Sequence, residues 1–158
     1  MPATKTTTAR KPGAGKAANV WTDEERAAMQ ASARERKAAS KLSPAEERAA
    51  GETEVREKLK GMPADDRRMG ERIHELVTKA VPSLHPKTYY GMPAYAKDGK
   101  VICFYKPKSK FKVRYSTFEF QADAHLDDGE MWPVSFAVDK LTPSVEARIT
   151  ALVKQAAS

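Results

Sequence analysis

Three groups of residues in this chain carry side chains whose types and spacing could do chemistry. The first is acidic: Asp123, His125, Asp127, Asp128 and Glu130 fall close together. Clustered carboxylate oxygens are what a hard cation needs, and a histidine nitrogen adds affinity for iron or zinc. The spacing is not that of an EF-hand loop, because no Asp-x-Asp-x-Asp-Gly run is present. Asp127-Asp128-Gly129 equally suits a solvated turn. Adjacent side chains on an extended strand point to opposite faces, so Asp127 and Asp128 serve one ion only where the backbone turns. The second group is basic: Lys106, Lys108, Lys110, Lys112 and Arg114 recur at every second position. On an extended chain they share one side, with Phe111, Val113 and Tyr115 on the other. Such a stripe can meet phosphates or acidic partners, or it can be a lysine-protected sheet edge. Pro107 and a turn at Lys108-Ser109 interrupt its register. The third group is aromatic: Tyr89, Tyr90, Met92 and Tyr95 flank Gly91 and Pro93. A kink there can open a cleft in which rings hold a ligand, or act as a bulge that fits a strand to its neighbours.

The remaining reactive residue types are isolated. Cys103 lies between Ile102 and Phe104 and reads as buried apolar filler rather than a nucleophile. His74 lies beside the apolar face of its helix, a place for packing more than for ligation. His85 precedes Pro86 in a loop and has no evident partner. No Ser-His-Asp ordering, Cys-x-x-Cys pair, phosphate loop or dinucleotide fingerprint is present. The expectation is a binding protein without catalysis and with no membrane partner.

The elements that must position these groups follow from composition and periodicity. The chain has 158 residues, with 28 Lys and Arg against 21 Asp and Glu, a net charge of +7. That length suits one domain with tails. The longest apolar run falls well short of a bilayer span. One cysteine excludes an intrachain disulfide, and the absence of an apolar leader makes a reducing cytoplasm the expected compartment. Residues 1–20 hold Lys5, Arg10, Lys11 and Lys16 with no acid and almost nothing apolar, which predicts a disordered basic arm. Residues 21–60 read as a charged helical extension. Thr22 and Glu25 form a capping box that opens a helix to about Ser40, with Trp21 as its expected anchor. Ser43-Pro44-Ala45-Glu46 opens another towards Lys60, which Gly61 stops and whose last turns Val55 and Leu59 can dock.

Residues 61–158 carry the main domain. Met69, Ile73, Leu76, Val77 and Ala80 form one helix face that Pro82 ends. From Thr88 the period changes. Asp98-Gly99 marks a hairpin, VICFY is a strand apolar on both faces, FKVRYSTFEF alternates along another and PVSFAV is a further one. Thr142-Pro143 opens a closing helix with Val145, Ile149, Leu152 and Val153 on its apolar face. The expected fold is α+β: a two-layer sandwich with a mostly antiparallel sheet of about five strands. Helices near 64–80 and 143–156 should pack on one face of it, burying Ile73, Leu76, Val77, Ile149, Leu152 and Phe104.

The stretch from Arg67 to Ala156 resembles the YdhG-like family of small bacterial proteins, a family of unknown function whose members are sometimes labelled iron chaperones. The residues that carry the likeness are Tyr90-Gly91-Met92-Pro93-Ala94-Tyr95, Gly99-Lys100 with the strand to Phe104, and Lys110-Phe111-Lys112. Leu126-Asp127-Asp128-Gly129-Glu130-Met131-Trp132-Pro133, Ser135-Phe136-Ala137 and Leu141-Thr142-Pro143 complete it. The resemblance implies an α-β(5)-α fold similar in outline to frataxin. It implies binding of a metal, iron, or of a small ligand. The alternative reading of the residues is an accessory binder of nucleic acid or acidic protein, using the basic arm and the Lys106–Arg114 stripe.

Overall fold

A computed structural model describes residues 21–39 and 42–158. Their elements in chain order are helices α1 (Asp23–Ala39), α2 (Pro44–Lys60) and α3 (Ala64–Ala80), strands β1 (His85–Tyr89), β2 (Met92–Lys97) and β3 (Lys100–Lys106), the one-turn helix α4 (Lys108–Phe111), strands β4 (Ser116–Phe120) and β5 (Ser135–Val138), and helix α5 (Pro143–Ala156). The five strands form one antiparallel sheet in sequence order. The fold is therefore α+β with a five-stranded antiparallel sheet, as the periodicities require. The arm expected over residues 1–20 lies outside the described residues.

The helix starts are chemical. Thr22 Oγ1 accepts from Glu25 N while Glu25 Oε2 accepts from Thr22 N at 2.7 Å. Ser43 and Glu46 make the same exchange at α2, with Pro44 in its first turn. Thr142 caps α5 through Val145 N, again followed by proline. Each arrangement satisfies amide donors that a helix end leaves open.

The sheet has two unlike faces. Tyr95, Cys103, Tyr105, Phe118 and Phe120 pack with Ile73 and Val77 of α3 and Ile149 and Val153 of α5. Met92, Ala94 and Phe104 form a separate cluster with Tyr89, Tyr90, Val101 and Phe111. Phe104 is thus buried on the face away from α3 and α5, contrary to expectation, because strand neighbours Cys103 and Tyr105 face those helices and side chains alternate. Leu76 and Leu152 are half-buried at the margin of the helical layer.

Helix α2 is no peripheral extension. Val55 and Leu59 are fully buried on it, which contributes about 1.5–3 kcal/mol each. Thr88 Oγ1 donates to Glu54 Oε2 at 3.0 Å, and Arg48 reaches the Pro82 carbonyl. The approach is closest at Gly51, where a Cβ would overlap the Pro86 carbonyl oxygen. Gly51 thus lets the helix, unbroken from Pro44 to Lys60, meet β1.

Helix α1 does not dock through Trp21, which is 53% exposed. A staple needs an apolar partner four residues into the helix, and Arg26 stands there. Ala28 and Ser32 are buried instead. The strand expected from Phe111 to Phe120 is also shorter. Pro107 has no N–H, Ser116 Oγ accepts from Lys108 N, and buried Asp66 accepts from Ser109 N at 3.1 Å. These bonds set up one helical turn, closed by Lys112 at φ 53°, so β4 begins only at Ser116.

Gly51 yields a prediction with an unusual sign. Alanine is the better helix former by roughly 1 kcal/mol, yet Gly51→Ala is expected to destabilise the protein by about 1–3 kcal/mol through overpacking against rigid backbone. Urea unfolding reads this directly, and an unchanged or raised midpoint would refute the close approach.

Candidate functional site

The aromatic group divides between the two faces. Tyr89 pairs with Met92 across a two-residue turn made by Tyr90 (φ 50°) and Gly91 (φ 75°). Positive φ at both centres is the type I′ hairpin pattern. The expected kink or bulge is thus a turn between two strands. Tyr95, six residues beyond Tyr89, projects into the helical layer and is fully buried. It takes no part in any cleft.

Tyr95 instead belongs to a buried chain of hydrogen bonds. His74 Nε2 lies 2.9 Å from Glu52 Oε1, and His74 Nδ1 lies 2.9 Å from Tyr95 Oη. An ionised carboxylate only accepts, so Nε2 carries the hydrogen, and Nδ1 accepts from the Tyr95 hydroxyl. Burial pushes the Tyr95 phenol well up, helped by Cys103 and Glu52. Burial also pushes the Cys103 thiol far up, away from the thiolate a nucleophile needs. For Glu52, burial acts upward, but its bonds to His74 and Arg56 outweigh it and hold the carboxyl below the usual range. The sequence offered His74 as a packing residue; its partners Glu52 and Tyr95 come from separate elements with no shared motif.

On the opposite face Tyr89, Tyr90 and Met92 do come together. The Tyr89 and Tyr90 rings meet edge to face with centroids 4.5 Å apart, and Tyr89 lies 5.4 Å from Phe104. Tyr89 and Tyr90, but not the buried Met92, line a cleft of about 380 Å³ with Lys87, Lys100 and Val101 of the sheet, Ser32, Glu35 and Arg36 of α1, and Gln121 and Asp123. Burial, then the neighbouring Tyr90 hydroxyl, pushes the Tyr89 phenol up, so it stays neutral. The turn itself is gripped from both sides. Gly91 N donates to Glu35 Oε1 at 3.0 Å, and Lys110 Nζ donates to the Tyr90 carbonyl at 2.8 Å. Burial and then Lys58 lower the Lys110 pKa, with Glu35 opposing. A tyrosine in the left-handed region costs on the order of 1–2 kcal/mol where Asn or Gly would sit more cheaply. That strain lies at the cleft mouth.

The basic group does not form a stripe. Lys106 ends β3 with its ammonium 4.8 Å from the Phe111 ring centre. Lys110 holds Tyr90, and Lys112 pairs with Glu24 of α1. Arg114 lies over Tyr115 in the loop before β4. Lys108 faces a different cleft of about 520 Å³ between α3, α4 and the start of α5. Much of that wall is already paired: Arg72 bridges Glu146 and Glu75, and Arg68 meets Asp65.

The acidic group spreads around its loop. Asp123 lies 3.6 Å from Lys100 Nζ, and His125 Nδ1 bonds the Ser158 carbonyl. Asp127, Asp128 and Glu130 are exposed, and Gly129 turns the chain at φ 67°. Buried Ala124 and Leu126 pin the loop to the core between them. Among the described residues no three His, Cys, Asp or Glu side chains gather closely enough to hold a metal ion. Nor is any described helix long and apolar enough to cross a membrane.

The Glu52 bonds set a pH dependence. A carboxyl whose folded pKa lies below its ordinary value adds stability above that value and loses it as pH falls through the folded one. Glu52→Gln is expected to cost about 1 kcal/mol at pH 7. The gap to the parent should narrow below about pH 4.5 in denaturant titrations; a gap constant from pH 7 to pH 3 would contradict the assignment.

No family model matches the chain, and no curated protein or solved structure matches it either.

Proposed function

We propose that this protein is a small-ligand binder, without covalent chemistry, and that its site is the cleft over Tyr89 and Tyr90. One observation carries the reading: two partly exposed tyrosines meet edge to face, beside a cleft, on the sheet face away from α3 and α5. Clefts lined by aromatic rings with a few convergent polar groups are the usual places for small molecules. The strained Tyr90 backbone at the mouth supports it, since such strain gathers at functional sites. The α-β(5)-α outline is in keeping with a YdhG-like, frataxin-like architecture, and the likeness to that family is densest at Tyr90–Tyr95, the turn beside this cleft. The iron reading of that family would draw on Asp123, Asp127, Asp128 and Glu130 with His125, which lie spread around their loop. Binding to nucleic acid or acidic protein through a Lys106–Arg114 stripe lacks the stripe.

A nitrogen-15 NMR titration with a library of aromatic and anionic fragments tests the reading. Shifts are expected to cluster at Tyr89, Tyr90, Lys100 and Val101. Tyr89→Ala should weaken the best fragment by about ten-fold or more, the scale of one lost ring contact. Glu130→Gln should leave it unchanged. Fragments that perturb only the acidic loop, or none that perturb the cleft, would sink the proposal.

A further inference from the structure

We propose that the ligand of this cleft is a nucleobase joined to a phosphate; the inference rests on reading the Tyr89–Tyr90 cleft as the binding site. The cleft joins flat aromatic partners to a small excess of positive charge, Arg36, Lys87 and Lys100 against Glu35 and Asp123. Every nucleobase has a π-face that stacks on tyrosine whatever its sequence. Tyr89 and Tyr90 supply the rings, and buried Phe104 backs Tyr89 from within the sheet face. Arg36 and Lys87 have no carboxylate within ion-pair distance among the described residues, and both line the cleft. Lys100 is held only loosely by Asp123, at 3.6 Å. Of the two acids on the wall, Glu35 is already engaged by the Gly91 amide. A phosphate is the common group that meets guanidinium and ammonium together. The Gln121 side chain, partly exposed on the same wall, can donate to and accept from a base edge.

The dimensions narrow the class further. A volume of about 380 Å³ suits one nucleotide, not a folded polymer. A base reaches a tyrosine face only when unstacked, which excludes duplex and favours a free nucleotide or one nucleotide of a single strand. The same face continues beyond the cleft to Phe111, with the Lys106 ammonium 4.8 Å from its ring centre. That is a second aromatic–cation unit, where a neighbouring nucleotide would lie.

Titration calorimetry and NMR with 5′-AMP, 5′-UMP, adenosine, ribose 5-phosphate and an eight-residue oligouridylate decide the matter. The nucleotides should bind about ten-fold or more tightly than adenosine or ribose 5-phosphate, since each of these lacks one half of the recognition. Tyr89→Phe should keep AMP binding and Tyr89→Ala should lose it about ten-fold. Lys87→Gln, an edge-strand change that leaves the core intact, should weaken AMP and flatten its salt dependence. Oligouridylate binding far more tightly than UMP, with a steeper salt slope, assigns the source as a single strand; equal affinities assign it as a free nucleotide. Adenosine or ribose 5-phosphate matching AMP overturns the inference. So does silence from all five probes while neutral aromatic fragments still shift Tyr89 and Tyr90, a result that leaves the cleft standing as a binding site. If neither those fragments nor the nucleotides shift the cleft, both readings fall.

Discussion

The turn at Tyr90-Gly91 is the constraint on which the arrangement of the sheet depends. Side chains alternate along a strand, so a slip of one residue between β1 and β2 would exchange their two faces. A two-residue I′ turn leaves no freedom for that slip. With the turn at Tyr90-Gly91, Tyr89 faces the cleft and Tyr95 the helical core. The turn is held by groups far away in the chain: Glu35 from α1 takes the Gly91 amide, and Lys110 from α4 donates to the Tyr90 carbonyl. These two charge-assisted bonds help offset the strain of a tyrosine at positive φ.

The two faces then serve different ends. On the helical side the buried side-chain polar atoms of the described residues are all matched. Tyr95 is joined through His74 to Glu52, and the Tyr105 hydroxyl donates to the Asp66 carbonyl at 2.9 Å while burial raises its pKa to about 12. Buried polar groups left unpaired cost heavily, so such matched networks hold a core to one arrangement. These bonds also tie α2 and α3 to the sheet across elements distant in sequence. The other side carries rings that are only partly covered and cations, Arg36 and Lys87, without an ion-pair partner among the described residues. That asymmetry, rigid scaffold behind and adaptable surface in front, suits binding.

Charge placement follows the same division. The chain's excess of positive charge says little about a site while the lysines are counted together. Once folded, Lys112 is spent on Glu24, Lys110 on a backbone carbonyl, and Arg72 on two glutamates. What is left over at Arg36 and Lys87 lies beside Tyr89. Exposed ion pairs are worth little to stability, so their role here is to decide which cations remain available.

Much of the fold was legible in the residues because its signals are local. Thr22-x-x-Glu25, Ser43-Pro44-x-Glu46 and Thr142-Pro143 start helices through bonds made within one turn, and the α3 and α5 stripes mark faces that must be buried. Asp98-Gly99 names its own turn. Tyr90-Gly91 was harder to read because tyrosine is an unusual choice at positive φ, and only the pairing of Tyr89 with Met92 reveals it. The spacing of Lys106 to Arg114 suggested a strand, yet Ser116 and Asp66 cap a helical turn there with bonds across 8 and 43 residues. The separation of Tyr95 from Tyr89, the Glu52–His74–Tyr95 chain and the meeting of α1 with β1 over the cleft were settled only by tertiary structure. Each brings together groups whose side chains carry no record of distant partners, because hydrogen bonding and packing are short-ranged in space and indifferent to distance along the chain.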